Sequence, residues 1–251
     1  MYSDGTYAEH NPSLHEEDSA YKMRYLAQLL EEIDGAVWPR RVRVLDVGGG
    51  AGVLARLVCE WFARRGHEVT CAAVDLSAEM LERQRANNPY VRDTHLGPLE
   101  TMRAERFDLA LLIDVIEHVP APDDVAARVN GMAAFILYNI PTERNLSDWL
   151  RNVCLRGRYY PAQTESLGHV HFFSPAGARA FVRRHHALLA VRVPAFARHV
   201  LDTDHAAYRQ QQQHALRRLE LKVSAWIRTA FGGLAPWLVQ GSLFMLARTR
   251  P

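Results

Sequence analysis

The sequence predicts an α/β chain built on a doubly wound, mostly parallel sheet of seven strands, with a helix ahead of the sheet and helical insertions near its end. Three stretches predict it. Residues 42–53, Val-Arg-Val-Leu-Asp-Val-Gly-Gly-Gly-Ala-Gly-Val, read as a buried strand that stops in Gly48, Gly49, Gly50 and Gly52. A helix follows, with Leu54, Leu57, Val58, Trp61 and Phe62 on one face. Residues 68–76 form a second strand closing on Asp75, and residues 107–114, Phe-Asp-Leu-Ala-Leu-Leu-Ile-Asp, are the clearest buried strand of the chain. Short apolar runs alternating with helical periodicity pack as parallel strands covered on both faces.

Strand, glycine turn, helix is a nucleotide-binding opening, because glycine lets the backbone come close to a ligand at the strand's carboxyl end. A dinucleotide fingerprint Gly-x-Gly-x-x-Gly does not fit. From Gly48 it requires a glycine where Val53 stands, and from Gly50 one where Ala55 stands. The spacing present is Asp-x-Gly-x-Gly-x-Gly from Asp46. This resembles motif I of the class I S-adenosylmethionine-dependent methyltransferases. A carboxylate at the strand end suits a cationic amino-acid tail and repels a pyrophosphate.

The resemblance implies a Rossmann-like fold, S-adenosylmethionine as methyl donor and S-adenosylhomocysteine as product. Because the sulfonium is already activated, it implies no metal. Asp75 is placed to accept both ribose hydroxyls, since a carboxylate offers two oxygens to a vicinal diol. Leu76 is expected to flank the adenine. Family members usually carry Gly-Asp after the third strand, here residues 91–96; this chain has Gly97-Pro98, so a backbone group at Leu99 or the carboxylate of Glu100 is expected to stand in. Asn88-Pro89-Tyr90 precedes that strand and reads as a loop, not as the Asn-Pro-Pro-aromatic loop of amino-methylating nucleic-acid enzymes.

After the fourth strand come Asp114-Val-Ile-Glu117-His118-Val119-Pro120, similar to the Leu-Glu-His-Val of methyltransferases acting on small molecules. The resemblance places Asp114 near the methionine part of the cofactor, and Glu117 and His118 beside the transferred methyl. Asp123-Asp124 is better explained as the cap of the next helix than as a metal pair. Residues 1–40 are expected to fold as a lid, with a helix capped by Asp18 or Ser19, running to about Ile33; Tyr7, His15 and Tyr21 then face the site. Residues 41–251 form the methyltransferase domain, with insertions at about 142–173 and 203–238.

Selectivity for the acceptor is expected in the first insertion, which holds Arg151, Arg156, Arg158, Tyr159 and Tyr160. Those arginines read either as an anion-binding cluster or as a solvated surface. His169 and His171 alternate, so an extended segment points both to one face. A hydroxyl acceptor requires a general base, and the order of expectation is His118, then His169, then His171; a carbon or amine acceptor requires less help. The second insertion carries Leu216, Leu219, Val223, Trp226 and Ile227, an amphipathic helix read as a cap, a homodimer surface or a membrane-surface helix.

Composition narrows the classes. The 251 residues are 48% hydrophobic and 23% charged, ordinary for a soluble globular chain. The polar start and the lack of an 18-residue apolar window predict no secretory signal and no membrane insertion. Three cysteines without metal spacing read as reduced thiols of a cytoplasmic protein. Net charge is +2, yet residues 176–251 hold 12 Lys/Arg against 3 Asp/Glu. That basic end suits an anionic partner or a solvated face. No nucleic-acid module is appended, so a small-molecule acceptor is expected. Two other classes compete: a nucleotide-dependent oxidoreductase, and a binding protein that keeps the cofactor fold without transfer.

Overall fold

The computed structural model describes residues 16–103 and 105–250, apart from the side chains of Glu16, Ala206, Ala207, Gln210 and Gln211. Tyr7 and His15 lie outside the described residues. Strands β1 (Arg41–Val47), β2 (Glu68–Asp75), β3 (Val91–Leu96), β4 (Phe107–Ile113), β5 (Ala133–Thr142), β6 (His186–Arg192) and β7 (Gly241–Thr249) form one sheet in the order β3-β2-β1-β4-β5-β7-β6. Strands β1 to β5 are parallel, and β7 runs antiparallel to both β5 and β6. This is the predicted doubly wound, mostly parallel sheet. Its strand order reverses between β1 and β4, the place where such sheets open a crevice at their carboxyl edge.

The helices are α1 (Ser19–Leu30), α2 (Val53–Ala63), α3 (Ala78–Asn87), α4 (Pro122–Asn130), α5 (Leu146–Cys154), α6 (Tyr159–Leu167), α7 (Pro175–His185), α8 (Phe196–Asp202), α9 (Ala206–Gln213), α10 (Ala215–Phe231) and α11 (Ala235–Leu238). Ser77 caps α3 by accepting the amide of Met80, and Ser174 caps α7 by accepting that of Gly177, as a serine at a helix start does. Asp123 and Asp124 depart from expectation. Ala121 is the cap position and Pro122 opens α4, so the two acids sit in the first turn.

Alternation along the strands divides the core. Val42, Val44, Leu109, Leu111, Phe135 and Leu137 pack with α1 and α2, while Leu45, Leu112, Ile136 and Tyr138 pack with α4 and α7. The predicted helix near the N-terminus ends three residues short of Ile33, and it is a full core element: Leu26, Leu29 and Leu30 are completely buried. Asp18 does not cap it. Its carboxyl instead accepts the Tyr208 hydroxyl from α9. The Tyr21 ring stacks on His199 with centroids 4.2 Å apart, and the Tyr25 hydroxyl accepts the amide of Ala195 at 3.0 Å. The segments after β6 therefore clasp α1.

Helices α5 and α6 lie between β5 and α7, and α9 to α11 lie between β6 and β7. Buried Asp148 orders the first of these insertions. Its carboxylate accepts from Asn145 at 2.6 Å, Arg151 at 2.6 Å and the Tyr159 hydroxyl at 2.9 Å. Helix α10 leaves Leu216, Leu219 and Trp226 exposed beside Leu146 and Leu150 of α5. None of the helices among the described residues is long and apolar enough to cross a membrane.

Burial predicts opposite outcomes for two leucines. Leu29→Ala is expected to cost about 2–5 kcal/mol in chemical denaturation, and Leu216→Ala to stay within about 0.5 kcal/mol. A Leu29 variant with unchanged stability and altered ligand affinity would make α1 a lid alone.

Candidate active site

A cavity of about 680 Å³ opens where the carboxyl ends of β1, β2 and β4 meet. Its wall includes Asp46, Gly48, Gly49, Gly50, Gly52, Asp75, Leu76, Leu99, Asp114 and His118, so nearly all of the site residues expected from sequence and described here converge on one space.

The glycine loop folds over Asp46. A Cβ on Gly49 would lie 1.9 Å from Asp46 Oδ2, so no side chain fits there. Gly52 adopts φ +77°, and a Cβ there would meet Gln84 at 3.0 Å. The Asp46 side chain is buried, and its Oδ2 has no hydrogen-bond partner among the described residues. Burial, with Asp75 nearby as a second negative charge, pushes its pKa up to about 7. Asp75 ends β2 and accepts the amide of Ser77 on Oδ1 at 2.9 Å. Its pKa is raised by burial and partly restored by the amides of Ser77 and Leu76. Leu76 is exposed at the cavity, and Leu99 is buried with its side chain in the core.

Asp114 follows β4 in a left-handed conformation, φ +57°, which aspartate tolerates better than most residues. Three contacts hold it. Its amide donates to the Asn139 carbonyl at 3.1 Å, Asn139 Nδ2 donates to Oδ1 at 2.5 Å, and Lys22 Nζ donates to Oδ2 at 2.6 Å. Sequence reasoning missed Lys22 and Asn139. Lys22 also lines the cavity with Ser19, so α1 forms part of its wall.

Next to the cavity lies a second group. Glu117 is fully buried, and neither of its carboxylate oxygens has a hydrogen-bond partner among the described residues. Burial, then the charges of Asp114 and Glu143, hold its pKa well above the carboxylate range. His118 Nδ1 is 3.2 Å from the Gly168 carbonyl, and its Nε2 is 3.9 Å from Glu117 Oε1. His169 is buried; its Nδ1 lies 2.8 Å from Glu143 Oε2, and its ring is 4.8 Å from that of His118. The insertion is tied down here, because the amides of Val170 and His171 both donate to the Glu117 carbonyl.

His171 does not join this group. The stretch 168–172 is not a strand, so alternation fails, and the His171 ring packs 6.4 Å from Phe173. Arg151 is engaged by Asp148 and Glu220, while Arg156 and Arg158 are exposed. Glu143 was not anticipated. It follows β5, and the contact that marks it spans 26 residues.

A family model described as a methyltransferase domain matches residues 14–186, more than half of the chain. A ubiquinone biosynthesis O-methyltransferase of Alkalilimnicola ehrlichii is 34% identical over 119 residues, which is 46% of this chain and 43% of that relative. The chain thus matches less than half the length of that protein. Among solved structures, a candidate sarcosine dimethylglycine methyltransferase from Galdieria sulphuraria superposes with a TM-score of 0.60 at 16% identity, covering 93% of this chain and 87% of that one. A phosphoethanolamine N-methyltransferase of Haemonchus contortus, solved with S-adenosylhomocysteine, gives 0.52 at 14% identity over 84% of this chain and 49% of that one. These two likenesses concern the fold. With the family match, the glycine loop over Asp46 and Asp75 at the end of β2, the chain belongs to the methyltransferase-domain family and has the fold of its class I, S-adenosylmethionine-dependent members.

Proposed function

We propose that this methyltransferase acts on a hydroxyl oxygen of a small molecule, a natural product, sugar or related metabolite, with His118 as general base. The observation that carries the reading is the place of His118: on the wall of the cavity that also holds the glycine loop and Asp75. The name of the Alkalilimnicola relative, an O-methyltransferase, supports an oxygen acceptor.

The residues present fit S-adenosylmethionine. Asp46 offers a buried carboxylate oxygen without a partner among the described residues, suited to a cationic ligand, and the close approach at Gly49 leaves room for backbone against ligand only. Asp75 accepts the ribose hydroxyls, and Leu76 and the loop at Leu99 border the adenine. Asp114 faces the amino-acid tail. When bound, the cofactor supplies a methyl group on sulfonium, transferred by in-line displacement. The protein aligns the nucleophile and excludes water.

Gly168's carbonyl accepts only, so Nδ1 of neutral His118 carries the proton and Nε2 keeps the lone pair. Nε2 takes the acceptor proton. The insertions at 142–173 and 203–238 shape the acceptor side, and three free cysteines suit a reducing, cytoplasmic compartment.

Asp75→Ala removes the acceptor of two hydrogen bonds and is expected to weaken S-adenosylhomocysteine binding about 100-fold by calorimetry; unchanged affinity would remove Asp75 from the cofactor site. The raised pKa of Asp46 gives the ligand-free protein stability that is complete below about pH 4 and lost as pH climbs through about 7. Asp46→Asn should therefore stabilise it at pH 8 by at most roughly 4 kcal/mol, with the difference gone by pH 4, while cofactor affinity falls. A stability difference independent of pH would show that Asp46 is not buried as a titrating acid. With methyl-labelled cofactor and a metabolite extract, label is expected on an acceptor oxygen, and His118→Gln should slow transfer about 10²–10⁴-fold with cofactor affinity retained. Label found on nitrogen or carbon only would end the hydroxyl reading.

A further inference from the structure

Two helices of the insertions turn their apolar faces away from the chain. In α5, Leu146, Trp149, Leu150 and Val153 are spaced to share one face, the pattern of a helix that packs that face inward. Yet these four are 47–57% exposed, and the residue that faces the interior is Asp148, completely buried. Beside α5, the residues Leu216, Leu219, Val223, Trp226 and Ala230 of α10 follow one another by three and four positions, the a and d spacing of paired helices. Leu216 is 84% exposed and Trp226 63%, while Leu221, off that seam, is buried. Between the two helices runs a groove of about 550 Å³ that shares no lining residue with the cavity of the glycine loop. The charged residues in its wall, Arg151 and Glu220, pair with each other, so the groove carries no net charge to attract a phosphate or an acidic segment.

From this geometry we infer that the face formed by α5 and α10 docks a second copy of this chain, giving a two-fold symmetric dimer. Area favours it. Leu146, Leu150, Leu216, Leu219, Trp226 and Phe231 of the groove are 45–84% exposed. At about 200 Å² for a large apolar side chain, they offer roughly 700 Å², more than the largest apolar patch of an ordinary monomer and close to one partner's share of a standard interface. A two-fold axis sets each face against its like, so the seam of α10 is a ridge for the groove of the other copy. The neutral wall removes the like-charge repulsion that a face otherwise meets in its own copy. The exposed cations of α10, Arg218 and Lys222, lie off the seam, where solvent screens them. Heptad spacing suits a facing helix, whereas adsorption to a lipid surface needs only a broad apolar face. On the inner side of α5, Asp148 accepts from Arg151 and the Tyr159 hydroxyl, so pairing at α5 also seats the insertion that runs on to His169. Each copy has its own core, and the dimer adds stability only at concentrations where it forms.

The test follows the full chain by sedimentation velocity across a dilution series. Dimer is expected at micromolar concentration, returning to monomer on dilution. Trp226→Glu sets a charge on the seam and should weaken the pairing about 30-fold or more, with S-adenosylhomocysteine affinity unchanged. Val223 stands at the middle of the seam, so a two-fold pairing brings it near its own copy. With the exposed Cys154 changed to Ser and Cys59 and Cys71 buried, Val223→Cys gives one reactive thiol per chain, which a short bis-maleimide should link into a dimer. Val223 is itself exposed, so this second variant decides the matter if Trp226→Glu does not fold. A monomer at every concentration, a dimer as tight in Trp226→Glu as in the parent chain, or a Val223→Cys chain that stays unlinked would overturn the inference. So would a parent chain that remains monomeric and floats with phosphatidylglycerol vesicles, which would give the face to a lipid surface.

Discussion

Like charges gathered at one edge of the sheet are the constraint on which the rest of this molecule turns. Parallel strands all end on the same side, and four neighbours, β2, β1, β4 and β5, each carry an acid at or next to their last residue: Asp75, Asp46, Asp114 and Glu143. Glu117 adds a fifth. Burial raises the cost of ionising Asp46 and Glu117, and the charge of Asp75 on the first and of Asp114 and Glu143 on the second adds to it, so both are held toward the protonated form. Such an edge is poorly stabilised by itself and well matched to positive charge from outside.

The chain relieves part of this with its own cation. Lys22 reaches Asp114 from α1, and this makes the placement of α1 an electrostatic matter as much as an apolar one. Its buried leucines fix the helix against β4, β5 and β7, and the clasp from Tyr208 and His199 fixes the end from which Lys22 and Ser19 face the cavity. A helix that packs this way sets the position of a charge at the site. Stability of the sheet and occupancy of the cavity are therefore coupled through one element.

What was legible in the sequence follows from chain distance. Asp46, Asp75 and Asp114 could be read because each closes its own apolar run, a local signal. The glycine loop could be read because its steric reason, a Cβ against Asp46, lies within three residues. Lys22 could not, since its partner is 92 positions away and an amphipathic helix suits a lid as well as a sheet face. Asn139 and Glu143 were hidden likewise, by register between β4 and β5 and by a contact to an insertion. Alternation misled at His171 because it presumes a strand, and 168–172 is held by its amides to Glu117 instead.

That last contact says why one sheet edge can serve many acceptors. The half of the cavity proposed for the cofactor is made from strand ends and the loop after β1, whose geometry the sheet itself imposes. The other half joins the turn after β4 to a segment that the minimal fold lacks, through backbone bonds to Glu117 and the Glu143–His169 pair. Backbone bonds place such a segment without dictating its side chains. Its sequence can therefore change with the acceptor while the edge that presents the methyl group stays as it is.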